Sequence, residues 1–176
     1  ITLPARMGEL EIGNESLGTV YGVDLFNGSI YLENIFVEEG NKYYSSVDGV
    51  LCDATGTTII HYPNGRRGEY IVGNRITAIA SYAFSGHRLS SVVFHSGVSS
   101  IGENAFYGCY NLESITFKGG LLPAELTVGE NAFSFAYQND ALTEVIFEAG
   151  SNVVEIGKGA FANNVGLTTI EIPHTV

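Results

Sequence analysis

Residues 102–117 read GENAFYGCYNLESITF: an Ala-Phe pair inside a small, polar stretch, then Leu, Ile and Phe at a Leu-x-x-Ile-x-Phe spacing. Aligning the chain on Ala-Phe shows that this stretch is one copy of several. ASYAF, GENAF, GENAF and GKGAF put Phe84, Phe106, Phe133 and Phe161 in equivalent positions. Five residues before each Phe stands an aliphatic, namely Ile79, Ile101, Val128 and Ile156. A Leu follows after a variable polar gap (Leu89, Leu112, Leu142, Leu167), and then Val92-x-Phe94, Ile115-x-Phe117, Val145-x-Phe147 and Ile170-x-Ile172. Earlier copies are looser: Phe26, Leu32, Ile35 and Val37 form one, and Tyr70, Val72, Ile76 and Ile79 begin another.

A unit of roughly 20 to 30 residues cannot bury its apolar side alone, so such repeats stack on their neighbours as a solenoid. Two residues of each Leu-x-x-Ile-x-Phe run, such as Val92 and Phe94, point inward from a short strand because side chains alternate across a strand, and successive copies stack into a parallel ladder. Ala-Phe lies on the opposite wall on a short helix or turn. Ala83 lets backbones approach there, Phe84 fills the interior, and Glu103 or Glu130 suits the first turn of such a helix. The expected fold is an α/β repeat, a right-handed β-α superhelix with helices or turns facing the ladder. Residues 44–63 break the pattern and read as a β-hairpin insertion with its turn around Ala54 to Gly56. Glu125 sits where the first aliphatic of its coil belongs, so the register slips there, and residues 4–24 form a lengthened, degenerate coil. With 176 residues and no linker, residues 1–176 read as one repeat domain, and ends that fall beside a strand without a polar cap read as those of a segment of a longer array.

The net charge of −11, with 8 Lys and Arg, argues against a nucleic-acid partner and against anionic membranes. No apolar run approaches the ~20 residues that a membrane-spanning helix requires, so no membrane insertion is expected in this segment. Cys52 and Cys109 fit no metal or redox spacing and are expected to be buried free thiols.

The repeats resemble BspA-like leucine-rich repeats, a subclass found in surface proteins of bacteria and some protists. The resemblance rests on VSSIGENAFYGCYNLESITF (98–117), with Cys109 where that family often has Cys, and on NKYYSSVDGVLCDATGTTIIHYPNGRRGEYIV (41–72), which looks like its hairpin-bearing unit. It implies a bacterial cell-surface or secreted module that binds an extracellular host or neighbouring-cell protein, or a glycan, and it supplies no catalytic motif.

The residues carry little chemistry of their own. His61, His87, His95 and His174 lie in different repeats without ligand spacing and are expected at solvated edges. No phosphate loop, dinucleotide fingerprint or nucleophile elbow occurs. HSGVSS (95–100) aligns as an inter-strand turn. Glu33, Glu38, Glu39, Asp48 and Asp53 lack calcium-loop spacing and read as a solvated acidic face. Asn14 and Asn27 stand in glycosylation sequons that matter only in a glycosylating source. No catalytic residue, cofactor or metal is expected.

The informative surface is the outward side of the ladder. Its middle column runs Phe36, Ile71, Val93, Thr116, Ile146 and Glu171, with His95, Lys118 and Glu148 alongside. An apolar stripe with a polar rim is the signature of an interaction site, although β-branched residues also suit any exposed strand. The expectation is a non-catalytic module for protein interaction or adhesion through this face, with a structural spacer presenting another domain as the alternative.

Overall fold

A computed structural model describes residues 1–5, 26, 29–121 and 123–176; the degenerate coil after residue 5 and both sequon asparagines lie outside them. Each coil contributes to three walls. The first is the expected ladder, a parallel sheet of β6 (Arg67–Ile71), β8 (Arg88–Phe94), β10 (Ser114–Phe117) and β12 (Glu144–Phe147) in that order. Its inward residues stack in register, with Ile115 between Val92 and Val145, and Phe117 between Phe94 and Phe147.

The second wall is also a parallel sheet, which the sequence reading did not separate from the turns. The aliphatic five residues before each Phe lies on a short strand: β7 (Ala78–Ile79), β9 (Ser100–Ile101), β11 (Leu126–Val128) and β13 (Val153–Ile156). Where Glu125 disturbs the pattern, β11 and β13 shift register between Leu126 and Thr127; Leu126 is buried and Glu125 exposed. Antiparallel strands β3 (Tyr44–Val47), β4 (Val50–Asp53) and β5 (Thr58–His61) extend this sheet, β5 lying parallel to β7. Asp48 and Gly49 turn β3 into β4 with φ of 51° and 76°, the left-handed pair of a tight hairpin. The Asp53 carboxylate closes the next turn by accepting the Thr57 and Thr58 N–H groups, both at 2.8 Å.

The third wall carries Ala-Phe on turns, one of the two forms expected there, and the α part of the expected α/β superhelix is not found: among the described residues there is no helix, and each Ala-Phe segment is a run of turns. The reason lies in where its N–H groups go. An α-helix spends them four residues back, whereas here alternate ones cross to the next coil. Phe84, Phe106 and Phe133 donate to the carbonyls of Ala105, Ala132 and Ala160 at 2.8, 2.7 and 2.8 Å. Left-handed residues two before the Phe (Tyr82, Asn104, Asn131, Gly159; φ 53–65°) interrupt any helical run. The glycines that follow the aliphatics of the second wall complete the fit, since a Cβ on Gly129 would lie 2.7 Å from the Gly102 carbonyl carbon.

Inside the coil the rings form two stacks. Tyr62, Phe84, Phe106, Phe133 and Phe161 follow one another at centroid spacings of 4.7, 4.4, 5.0 and 5.5 Å. Phe94, Phe117 and Phe147 stack at 5.2 and 4.8 Å, and Phe94 meets Phe106 edge-on at 89°. Such pairs add about 0.5–1.5 kcal/mol each beyond the area they bury. Cys52 and Cys109 are free and buried, as expected. Two of the four histidines are not at solvated edges: His61 and His87 are 1% and 2% exposed, packed edge to face 5.7 Å apart.

Candidate functional site

A flat, regularly spaced surface follows from the parallel register of the ladder. Ile71 pairs with Val93, Val93 with Thr116 and Thr116 with Ile146, so these four side chains form one outward column. Ile71 is 63% and Ile146 38% exposed, while Val93 and Thr116 are half-buried. Glu69, Ser91, Ser114 and Glu144 stand in register on one flank of the column. Beside Ile71 a small pocket of about 60 Å³ opens between the β3–β4 turn and β6, lined by Val47, Val50, Tyr70 and Ile76.

The other flank carries three of the predicted residues, in two different roles. Lys118 and Glu148 pair across adjacent coils, Nζ to Oε1 at 2.5 Å, and Glu148 also accepts the Gly119 N–H at 3.4 Å. The Lys118 ammonium, foremost, holds the Glu148 carboxyl below its usual range. His95 is held by the fold: its Nδ1 accepts the Gly97 N–H at 3.0 Å and its Nε2 donates to the Ile76 carbonyl at 2.9 Å. Both ring nitrogens are thereby engaged, which leaves neither to hydrogen-bond a ligand.

Two predicted members fall outside this sheet. Phe36, 50% exposed, lies on β2 (Phe36–Val37), which pairs with β1 (Thr2–Leu3) as a separate two-stranded sheet. Strands β3–β5 explain this, since the Ile35 N–H is taken by Gly49 O, and Arg66 ties Glu33, Asn34 and Asp48 together through its guanidinium. Glu171 is exposed but not on a strand, because residues 167–173 make no strand pairing with β12. A cleft of about 420 Å³ separates Phe147–Ser151 from Glu171–His174.

Outside the ladder, His61 departs from the solvated position expected of it. His61 lies against Phe26 and His87, and neither of its ring nitrogens has a hydrogen-bond partner among the described residues. Burial drives its pKa down to about 3. His87 instead faces two carbonyls, of Tyr62 and Ser85. Among the described residues no three His, Cys, Asp or Glu side chains gather as a metal site, and no helix is long and apolar enough to cross a membrane.

The sequence model described as BspA type leucine rich repeat region matches residues 68–176 in six copies. No curated protein matches the chain. Among solved structures, a leucine-rich repeat protein from Eubacterium ventriosum is 16% identical with a TM-score of 0.53, over 99% of this chain and 55% of that one. A leucine rich cell surface protein from Faecalibacterium prausnitzii is 25% identical with a TM-score of 0.53, over 82% and 42%. The pneumococcal vaccine antigen PcpA is 24% identical with a TM-score of 0.47, over 82% and 44%. The chain therefore spans about half the length of these structures.

Proposed function

Because the chain belongs to the BspA-type leucine-rich repeat family, we propose that it is a non-catalytic binding module of a bacterial cell-surface or secreted protein. It engages an extracellular protein, or a glycan on one, through the outward face of the β6–β8–β10–β12 sheet. The observation that carries this reading is the in-register column Ile71, Val93, Thr116 and Ile146 between polar flanks. Its backbone is held on both sides of each inner strand, so the column is preorganised and binding costs little ordering entropy. The solved cell surface protein of similar fold supports the location. Phe36 lies on a separate sheet and serves as a second, independent contact.

The test is binding of the purified chain to arrays of matrix proteins, plasma proteins and glycans. The Ile71→Ser/Ile146→Ser double variant and Phe36→Ser are measured in parallel. Saturable binding that the double variant loses while its unfolding midpoint holds is the expected result. Binding that the double variant retains in full places the contact elsewhere. The spacer reading draws on the two continuous aromatic stacks, which make a stiff rod, and it prevails if the folded chain binds nothing on the arrays.

A further inference from the structure

One edge of the ladder has no strand beside it. Among the described residues β6 pairs with β8 alone, and no other strand lies alongside it. The Val72 N–H crosses to Val93 O at 2.9 Å, and the backbone groups of a strand alternate between its two sides, so those of Glu69 and Ile71 point away from β8. Their N–H groups and carbonyls have no partner on that side among the described residues. An open edge of this kind is a template for one more strand.

The same edge carries a charge feature and an apolar one. Arg67 and Arg88 are exposed and lie in register at the start of β6 and β8, and buried Leu89 turns Arg88 outward. Like charges placed side by side on adjacent strands are unfavourable. Arg66 is engaged by Glu33, Asn34 and Asp48, whereas neither Arg67 nor Arg88 has a hydrogen bond or ion pair among the described residues. In a chain with 8 Lys and Arg against 19 Asp and Glu, such an unanswered cationic pair is complementary to a carboxylate from outside. Three residues along β6, at Tyr70, the pocket of about 60 Å³ runs inward between Val47, Val50, Ile59 and Ile76. A cavity of about 150 Å³ holds benzene, so this one takes a branched aliphatic side chain and no ring.

We infer that the free edge of β6 is the docking site for an extended segment of the partner protein. The segment adds a strand beside Glu69 and Ile71, sets one carboxylate side chain against Arg67 and Arg88, and inserts a Val or Ile three residues away into the pocket at Tyr70. An odd spacing is required because side chains alternate across a strand: the acid faces outward with the arginines, and the aliphatic faces inward. Exposed Glu69 stands between the two points and repels a run of acidic residues, so a single carboxylate is selected. The inference rests on the binding reading of the ladder face and names what that face takes.

The probe is the peptide acetyl-Ser-Glu-Thr-Thr-Val-Ile-Ser-amide, with its reversed sequence to cover the other strand direction and a version carrying Gln in place of Glu. Amide hydrogen exchange at Glu69 and Ile71 is followed on the whole chain. Saturable binding of one sequence order that slows exchange at both amides by roughly tenfold or more is the expected result. The Gln peptide, and the Arg67→Ser/Arg88→Ser variant with the Glu peptide, are each expected to bind roughly tenfold more weakly. Both arginines are exposed, so the variant should keep its unfolding midpoint. Absence of protection by either sequence order overturns the inference, as does binding that Arg67→Ser/Arg88→Ser retains in full. An array ligand that Ile71→Ser/Ile146→Ser loses, with β6 unprotected by both peptides, leaves the binding reading standing and overturns this inference alone.

Discussion

Phe84 and Phe106 lie one coil apart with their rings nearly parallel, 13° between planes and 4.4 Å between centroids, and each is fully buried. The identical step recurs from Phe106 to Phe133 at 5.0 Å, so the centre of the solenoid is a column of rings whose members support one another on both faces. Phe106→Ala should therefore cost about 3–5 kcal/mol, the usual price of a buried Phe. Chemical unfolding measures it, and a loss under 1 kcal/mol would show that neighbouring rings collapse into the gap.

Gly129 and Gly73 differ in what surrounds them. A Cβ on Gly129 meets the Gly102 carbonyl carbon at 2.7 Å and the Glu103 nitrogen at 2.8 Å, both backbone atoms, whereas a Cβ on Gly73 meets nothing within 4 Å. Gly129→Ala should destabilise by about 1–3 kcal/mol because adjacent coils must separate. Gly73→Ala should be neutral or stabilising by a few tenths to about 1 kcal/mol through the unfolded chain. Equal effects at the two positions would refute the close-approach account.

His61 makes stability depend on pH in a definite direction. Its folded pKa is near 3 because burial disfavours the charged form, with the His87 charge adding to the effect. In the unfolded chain it titrates near 6.5. Folding therefore loses nothing above pH ~6.5 and weakens steadily as the pH falls from there toward 3. The loss is on the order of 2–3 kcal/mol by pH 4.5 for this group alone. His87, also shifted down by burial, adds in the same sense. His61→Phe should flatten the profile of unfolding free energy between pH 6.5 and 4.5, and an unaltered slope would remove His61 as its cause.

Burial pushes the Cys109 thiol up to about 12 and the Cys52 thiol up to about 11. Since the thiolate is the reactive form, neither cysteine should react with a water-soluble disulfide reagent at pH 8 while the chain is folded. Both should react promptly in denaturant. Fast labelling of Cys109 in the native protein would contradict its place between the Phe84 carbonyl and the core.

Much of the fold is legible in residue spacing. The Leu-x-x-Ile-x-Phe runs state which residues face inward because a strand alternates with period two, and Val92, Ile115 and Val145 stack as that alternation requires. The Ala-Phe wall is less legible. Its turns rather than helices follow from hydrogen bonds to the next coil, which no property of a single segment reveals. Asn104, Asn131 and Gly159 before Ala-Phe were an available local signal, since Asn and Gly tolerate the left-handed conformation. The candidate face divides likewise: Ile71, Val93, Thr116 and Ile146 align by repeat and by structure, whereas Phe36 lies on another sheet beside strands β3–β5 and His95 is engaged by backbone partners.

The repeat and the residues that face into the ladder are set by periodicity, and the family is carried by the motifs that resemble it, the Ala-Phe units above all. The stacking of the coils sets the rest: which N–H groups of the turn wall cross to the next coil, and the burial of His61 with no partner for its ring nitrogens among the described residues. Both depend on which coil lies beside which, and an N–H or an imidazole is satisfied or stranded only by neighbours that are distant in the chain.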